Sequence, residues 1–327
     1  MTAETAWLLL ASVPGVGPTT FWRLVSRFGS AEAVLAASEL ELAGIGKCSP
    51  DVASAITRAA ARERDLLARI EELRVRGIGV ATAPALSERG GKPALSPPNG
   101  PPHSTLADHA YPALLRRRRA PPPVLFIWGA VTEADSRAIA VVGARRASEA
   151  GLDAARSIAS QLAGAGVTVV SGLALGIDTA AHESAVEKGA RTIAVIGSGI
   201  DRIYPPANTG LAQRIAANGA VVSEFTPTAP VSREGLLARN RTIAGLSRAV
   251  IVVQTRDSGG AVVTAQHARE FGVPTLTLVQ EGWEEDYLRG AEAVRALGAI
   301  AVSTDRAAEE AIASLEREPV SQQSTLL

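Results

Sequence analysis

The sequence predicts an α/β protein: an extended Rossmann-like, doubly wound and mostly parallel sheet preceded by a small all-α domain. Three observations support this prediction. Short apolar runs alternate with helical segments from Val124 onward, residues 1–83 carry helical apolar spacing, and a proline-rich stretch separates the two regions. With 327 residues, 46% of them hydrophobic, the chain is long enough for about two domains with substantial cores.

The first region is predicted to be a helical domain over residues 1–83. Its helical stretches are 6–11, 19–28 and a long one over 50–76. Two glycine-containing turns, 13–18 (VPGVGP) and 42–47 (LAGIGK), separate them. Residues 84–110 are rich in proline and poor in apolar side chains, which predicts a linker.

The sheet domain is predicted over residues 111–303. Its strands are expected at 124–127, 139–142, 167–170, 192–196, 220–222, 249–253, 274–279 and 299–302. Its helices are expected at 148–165, 179–188, 207–218, 235–246, 262–271 and 287–297. The strands lack polar alternation, which indicates that helices cover both faces of a parallel sheet. Residues 304–327 are predicted as a C-terminal helix and a polar tail.

Composition excludes several classes of protein. Lys plus Arg and Asp plus Glu are both 33, so binding of nucleic acid by bulk positive charge is excluded, whereas a local basic patch is not. The single cysteine, Cys48, excludes an internal disulfide and a cysteine-built metal site. The N-terminus lacks a basic region, and no run of ~18 apolar residues occurs, so we expect a cytoplasmic protein with no membrane partner.

Four of the predicted strands are followed by glycine-bearing loops. They are Gly143–Arg146, the loop with Ser171, Gly172 and Gly176, the loop with Gly197 and Gly199, and the loop with Gly259 and Gly260, which leads to Thr264. Ligands bind at the carboxyl ends of parallel strands, and glycine lets backbone N–H groups approach an anion. Arg145 adds a planar fork for a phosphate. The loops therefore predict a site for an anion or nucleotide.

Other groups near this edge leave alternatives open. Asp178 either caps its helix or holds a sugar hydroxyl or a basic side chain. His182 is predicted as a buried polar contact, with Asp178 one turn back as its partner. The cluster Arg239-Asn240-Arg241 suits either a solvated helix start or contacts to phosphates and base edges.

The sequence contains no motif that indicates catalysis or the binding of a metal or cofactor. It contains no dinucleotide G-x-G-x-x-G fingerprint, no P-loop string, no carboxylate pair, no metal cluster and no nucleophile triad. We therefore predict no catalytic residue, no metal and no cofactor.

Taken together, these loops resemble the DNA-processing protein A family (DprA, also called Smf). The matching strings are 141–145 (VVGAR), 171–182 (SGLALGIDTAAH), 192–201 (TIAVIGSGID), 204–208 (YPPAN), 223–225 (SEF), 239–247 (RNRTIAGLS) and 258–265 (SGGAVVTA). They occur in the family's order and spacing over about residues 105–300, and the set is highly specific.

The resemblance implies a protein that binds single-stranded DNA, forms a homodimer and helps to load the recombinase RecA during natural transformation. The residues it assigns to DNA binding are Arg145, Ser171, Gly172, Gly176, Asp178, Arg239, Asn240, Arg241, Gly259, Gly260 and Thr264. It also implies an N-terminal domain of the sterile-alpha-motif or helix-hairpin-helix kind, in which the turns at 13–18 and 42–47 would face DNA phosphates.

The chain departs from the family pattern at a few places. Gln254 stands where an acidic residue is common, and about 25 residues follow the sheet, so we expect no C-terminal winged-helix-like domain. The alternatives are a nucleotide-binding enzyme, such as a nucleotide hydrolase, and a nucleic-acid sensor of a defence system. Nucleotide hydrolases of the related fold carry a P-G-G-x-G-T-x-x-E string. The nearest match in this sequence, Ser258-Gly259-Gly260-Ala261, has no Glu at the corresponding position.

Overall fold

The computed structural model describes residues 1–46, 48–83, 109–280 and 282–316. Contacts between Cα atoms divide the chain into two compact units. The first unit contains residues 1–111, 116–128 and 224–226, and the second contains 112–115, 129–223 and 227–327. The predicted linker at 84–110 lies, except for residues 109 and 110, outside the described residues.

The first unit begins with six helices. They are α1 (Ala3–Ala11), α2 (Pro18–Phe28), α3 (Ala31–Ala36), α4 (Glu39–Ala43), α5 (Pro50–Thr57) and α6 (Glu63–Val75). The prediction of one long helix over 50–76 is wrong, because a 3-10 turn at Ala59–Arg62 separates α5 from α6. This turn packs against α1 and buries Ala59. No glycine or proline marks the break, so it has no local signal at the level of sequence.

Three aromatic rings form the centre of the first unit. Trp7, Phe21 and Trp22 meet edge to face, with ring centroids 4.7–5.5 Å apart. Each indole nitrogen also has a buried hydrogen-bond acceptor: Trp7 donates to the carbonyl of Pro123 and Trp22 to that of Pro121. The rings therefore bury a large apolar area without leaving an indole N–H unpaired.

A strand that the sequence analysis missed completes this unit. Strand β1 (Ile78–Thr82) pairs antiparallel with β2 (Val124–Gly129), and a short helix, α7 (Ala113–Arg116), precedes β2. The prediction that residues 1–83 are all helical is thus wrong at its end. Gly77, with φ of +72°, ends the helical stretch, and Ile78 and Val80 are buried against β2. The predicted strand at 124–127 is present as β2, and its pairing with β1 is antiparallel.

Within the part that the structure describes, the second unit contains seven strands and seven helices. The strands are β3 (Ala138–Val142), β4 (Thr168–Ser171), β5 (Thr192–Ile196), β6 (Ala220–Ser223), β7 (Ala249–Val252), β8 (Thr275–Leu278) and β9 (Ile300–Val302). The helices are α8 (Glu149–Gly164), α9 (Ile177–Glu187), α10 (Thr209–Asn218), α11 (Arg233–Gly245), α12 (Gly260–Glu270), α13 (Glu285–Ala296) and α14 (Thr304–Glu316). Short 3-10 turns lie at Glu133–Arg137 and Pro206–Asn208.

These seven strands confirm the predicted doubly wound topology. Their order is β6-β5-β4-β3-β7-β8-β9, and each neighbouring pair is parallel. The chain moves outward from β3 to β6 and then returns to the other side of β3 at β7. The carboxyl ends of β3 and β7 therefore form a topological switch point, where ligands bind in open parallel sheets.

Small apolar side chains fill both faces of this sheet. On one face Ile139 and Val141 of β3 belong to a buried cluster that includes Ile158 of α8. Helices α10, α11 and α12 contact the strands as well. The cluster also includes Ala307 and Ala311 of α14. The predicted C-terminal helix is thus part of the sheet domain's core, and residues 317–327 of the predicted tail lie outside the described residues.

Candidate nucleic-acid interface

A basic cleft of about 690 Å³ lies at the switch point. Its lining comes mainly from the loops that follow β3 and β7, from α11 and from the start of α12. The lining residues are Val142–Arg146, Ala174, Asp178, Tyr204, Val231–Arg233, Leu236, Leu237, Arg239, Asn240, Ile243, Thr255, Arg256, Ser258–Ala261 and Thr264. Five of them are arginines and one is acidic, so the cleft carries a strong positive potential in a chain of zero net charge.

The loop that carries Arg145 is held by backbone contacts. The amide of Ala144 donates to the carbonyl of Gln254, with a 2.6 Å separation, and its carbonyl accepts from the amide of Ile177. The side chain of Gln254, which is buried, accepts from the amide of Ser148 and donates to its hydroxyl. The neutral amide of Gln254 therefore joins β7 to the start of α8, while the Arg145 side chain stays exposed in the cleft.

The glycine loop after β4 supports the cleft from behind. Asp178 accepts from the amides of Gly172 and Ala174, and the Ser171 hydroxyl donates to the carbonyl of Val141. Gly176 has a φ of +81°, and a Cβ there would lie 2.3 Å from the carbonyl oxygen of Ala144. Ser171, Gly172 and Gly176 were predicted to contact DNA, but none of the three lines the cleft. Their place in the structure is to fix the loop that presents the neighbouring groups.

Arg239 is the most unusual side chain of the site. It lies on α11 with only 5% of its surface exposed, and its Nη1 is 3.7 Å from the Asp178 carboxylate. Its Nε and Nη1 have no hydrogen-bond partner, although an arginine carries five N–H donors. A buried guanidinium with unused donors at the wall of a basic cleft is suited to an anionic ligand.

Burial shifts the pKa of both members of this ion pair, Arg239 and Asp178. It lowers the pKa of Arg239, and the nearby positive charge of Arg145 lowers it further, whereas Asp178 opposes the shift. Burial also raises the pKa of Asp178, against the effects of Arg239 and of the two backbone donors. Of the alternatives left open for Asp178, the structure supports the one in which it holds a basic side chain, Arg239. Asp178 does not cap α9, whose N-cap is Gly176; it accepts from the loop amides of Gly172 and Ala174 instead.

The start of α12 supplies a second anion-binding element. Its N-cap is Gly259, so no side chain caps the first-turn N–H groups. Asn240 donates from Nδ2 to the carbonyl of Gly260, and the Thr264 hydroxyl donates to the same oxygen at 3.4 Å. The predicted site residues Asn240, Gly259, Gly260 and Thr264 thus lie together with Arg145, Asp178 and Arg239, as the sequence analysis expected.

Two arginines differ from the prediction. Arg241 does not line the cleft; its guanidinium lies 4.9 Å from the ring centroid of Phe271, in a cation–π contact. The reason is helical spacing, because a residue two positions after Arg239 points to a different face of α11. Arg146, by contrast, lines the cleft beside Arg145, although it was not among the residues assigned to DNA binding. Its carbonyl accepts from the Tyr287 hydroxyl.

His182 is buried, as predicted, but its partner is not Asp178. Its Nδ1 forms a 2.7 Å hydrogen bond with the hydroxyl of Thr192. Burial, together with the positive charge of Arg239, lowers the pKa of His182 to about 3. The ring is therefore neutral at physiological pH and adds no charge to the site.

The sequence analysis missed an apolar wall of the cleft. Tyr204, Val231 and Leu237 line it and are each 37–38% exposed, so the cleft presents apolar surface as well as charge. Aromatic and aliphatic surfaces of this kind suit the faces of nucleic-acid bases. Tyr204 belongs to the family string 204–208, which could have indicated its part in the site. Val231 and Leu237 stand in a stretch without a recognisable sequence pattern.

Comparisons with known proteins agree with this geometry. Residues 103–313 match the sequence model of the family described as DNA recombination-mediator protein A, and residues 2–58 match that of a DprA-like N-terminal HHH domain. The chain belongs to the DNA recombination-mediator protein A family. The resemblance inferred from the sequence strings is thereby confirmed.

Individual members of the family match about half of this chain. Protein Smf of Synechocystis sp. is 42% identical over 178 residues, which are 53% of this chain and 45% of the relative. DNA processing protein DprA of Streptococcus pneumoniae is 39% identical over 171 residues, or 52% and 60% of the two chains. The matched part therefore spans about half the length of these relatives.

Two solved structures of DprA proteins have the same fold. The X-ray structure of the Streptococcus pneumoniae protein covers 97% of this chain and 100% of its own, with a TM-score of 0.70 and 24% identity. A Helicobacter pylori structure covers 61% of this chain and 92% of its own, with a TM-score of 0.55 and 29% identity. The latter is described in terms of the single-stranded DNA binding mode of that protein.

The described part of the chain contains neither a membrane-spanning helix nor a cluster of metal-ligating side chains. None of its helices is both long and apolar enough to cross a membrane. In the same residues, His, Cys, Asp and Glu side chains form no group of three that could hold a metal ion.

Proposed function

We propose that this chain binds single-stranded DNA in the basic cleft, as a DprA-type DNA-processing protein. The observation that carries the proposal is Arg239: a buried, incompletely paired guanidinium beside the exposed Arg145 and the uncapped start of α12. These groups suit phosphates, and the apolar wall with Tyr204 suits bases. The DNA-binding description of the Helicobacter pylori relative supports the same ligand.

The proposal also places the chain among binding proteins and not among enzymes. Asp178 is the only acidic residue lining the cleft, and Arg239 and two amides already occupy it. His182 has its Nδ1 bonded to Thr192 and a pKa of about 3, so it is a poor general base. These features argue against the nucleotide-hydrolase alternative, and a lack of nucleotide turnover in the presence of bound DNA tests this point.

Three further roles belong to the proposal by family membership. The chain would act in the cytoplasm, protect incoming single strands, and help to load RecA during natural transformation or recombination. Cosedimentation of this protein with purified RecA on single-stranded DNA tests the RecA partnership. A role in a defence system is the competing assignment, and gene neighbourhood discriminates between the two.

The proposal includes a homodimer. Strand β9 ends the order of strands in the second unit, and Ile300 within it is 58% exposed. Val279 and Leu288 are also exposed, by 43% and 39%. Such an apolar strand edge is suited to a second copy of the chain. A solution mass near 33.7 kDa by light scattering, the mass of one chain, would contradict the dimer.

Replacing Arg145 by alanine is the experiment that tests the DNA site. We expect the affinity for a thymidine oligomer to fall by about 1.5–3 kcal/mol, because a charge-assisted phosphate contact is lost. The slope of log affinity against log salt should become shallower by about 0.7. Folding should be unchanged, since the side chain is exposed. Fluorescence anisotropy over a salt series measures both quantities.

Arg214→Ala is the matched control for this experiment. Arg214 is an exposed arginine on α10 that does not line the cleft. Arg146 is unsuitable as a control because it lines the cleft too. Equal affinities of the Arg145→Ala variant and the wild type would place the DNA elsewhere on the protein.

A further inference from the structure

Gln254 is buried next to the cleft without lining it. It stands two residues after the end of β7, and only 1% of its surface is exposed. A buried amide needs partners for its donor and its acceptor atoms, because an unpaired polar group in the core costs free energy. The partners of its side chain and its carbonyl belong to one short segment, residues 143–148, which we call the arginine loop. This loop connects β3 to α8 and carries the exposed Arg145 and Arg146.

Hydrogen bonds from Gln254 hold the arginine loop at both ends. Near the end of β3, the Gln254 carbonyl accepts from the amide of Ala144 at 2.6 Å. Near the start of α8, its Oε1 accepts from the amide of Ser148 at 3.1 Å, and its Nε2 donates to the Ser148 hydroxyl at 2.9 Å. Ser148 also caps α8, because its Oγ accepts from the amide of Gly151 at 3.2 Å. One residue thus fixes the exit from β3 and the entry into α8.

Two glycines leave the space that Gln254 occupies. A Cβ at Gly143 would lie 2.7 Å from the carbonyl oxygen of Gln254. A Cβ at Gly151 would lie 2.3 Å from its Oε1 and 2.6 Å from its Cδ. These distances are shorter than a real Cβ contact, so a larger residue at either position would displace the contact with Gln254.

The amide group also suits the charge of the site. It has both a donor and an acceptor for Ser148, whereas an ionised carboxylate only accepts. Gln254 stands where an acidic residue is common in the family pattern. A neutral side chain here holds the arginine loop without adding a negative charge to the place where phosphates are to bind.

We infer that Gln254 is a positioning residue for DNA binding, which holds the arginine loop so that Arg145 and Arg146 face the cleft. This inference rests on the proposed function, because it concerns the same site. Only three residues lie between the two clamped positions, Ala144 and Ser148. A loop fixed at both ends loses less conformational entropy when its side chains bind a ligand. Without the clamp the two arginines remain on the surface, but they must be ordered at the moment of binding.

Replacing Gly151 by alanine tests the inference while Gln254 stays in the chain. The new Cβ displaces the Gln254 amide from Ser148, and α8 itself receives a better helix former. Gly164→Ala is the matched control, because Gly164 lies in the same helix and a Cβ there meets no atom within 4 Å.

Gln254→Leu is the second variant, which removes the side-chain hydrogen bonds and keeps a side chain of similar size. Thr168→Val is its control. Thr168 is buried at the amino end of β4, at the opposite end of the strand from the glycine loop, and its hydroxyl donates to Asp135 at 2.8 Å. Each substitution removes a buried hydrogen bond, so both should lower the unfolding temperature.

We expect Gly151→Ala and Gln254→Leu to bind a thymidine oligomer about 3- to 10-fold more weakly than the wild type, which is the scale of ordering one or two long side chains. Gly164→Ala and Thr168→Val should bind as the wild type does. Fluorescence anisotropy measures the affinities, and circular dichroism verifies that each variant is folded at the temperature of the titration. If Gln254→Leu fails to fold, the pair of glycine variants still decides the question.

A second measurement separates positioning from a merely structural role. Gly151→Ala is added to the variant Arg145→Ala/Arg146→Ala, and binding is titrated at low salt. The loss caused by Gly151→Ala should then be less than about twofold, because the loop carries no arginine to be positioned.

Two results would overturn the inference. One is an unchanged affinity when Gly151→Ala is made in the wild-type protein. The other is an equal loss from this substitution with and without the two arginines. Failure of the proposed function looks different, since the wild-type protein itself would then not bind the oligomer.

Discussion

Replacing Arg239 by alanine is expected to weaken both the fold and DNA binding. The substitution leaves the Asp178 carboxylate buried with its two backbone donors but without its counter-charge. Breaking a buried ion pair from one side costs about 3–5 kcal/mol of unfolding free energy. Binding is lost as well, because the unused Nε and Nη1 donors that suit a phosphate are removed. Urea unfolding and anisotropy titration measure the two effects separately.

A double variant separates the stability effect from the binding effect. In Asp178→Asn/Arg239→Met both charges are removed and an apolar side chain fills the space of the arginine, so much of the lost stability should return. DNA affinity should stay low, because the guanidinium is still absent. A double variant that regains wild-type affinity would contradict a direct role for Arg239 in binding.

Replacing Gly172 by alanine is expected to weaken DNA binding strongly, although Arg239 itself is still present in the variant. A Cβ at this position would lie 1.1 Å from Nη1 of Arg239 and 2.0 Å from its Cζ. Since the guanidinium is the end of a flexible side chain, it must shift away from its place beside Asp178, which removes it from the position in which it would meet a phosphate. The expected loss is at least about tenfold in affinity, the scale of one charge-assisted contact.

Two variants check that the clash with Arg239 is the cause. Gly210→Ala is the control, because a Cβ at Gly210 meets no atom within 4 Å. In Gly172→Ala/Arg239→Ala the clash is relieved, so the double variant should bind no worse than Arg239→Ala alone. Additive losses in this cycle would show that Gly172 acts by another route.

Much of the fold could be predicted from the sequence because the strands of the second unit are buried on both faces. The run over 192–196 has the predicted boundaries, and the other strands of this unit agree within one or two residues. Strand β1 escaped prediction because it is short, follows a long helical pattern and contains Gly79. Its strand character comes from pairing with β2, whose paired residues are 42 to 50 positions away in sequence.

The candidate site could be predicted as a region more readily than as a set of contacts. Strand-end loops must meet at one edge of a parallel sheet, which correctly grouped Arg145, Asp178 and Gly260. Whether a loop residue faces the ligand or supports it depends on packing, which local sequence does not reveal. Gly172 is covered by Arg239, and Arg241 turns toward Phe271, so neither could be assigned from its motif alone.

Photo-crosslinking tests the central claim, that single-stranded DNA lies in the basic cleft, most directly. A thymidine oligomer with 4-thiothymidine in place of thymidine is irradiated with the wild-type protein, and the crosslinked peptides are identified by mass spectrometry. We predict crosslinks to peptides that contain Tyr204, Leu237 or Ser258, which all line the cleft. Crosslinks confined to peptides without cleft residues, or complete competition by thymidine monophosphate at equal nucleotide concentration, would contradict the account.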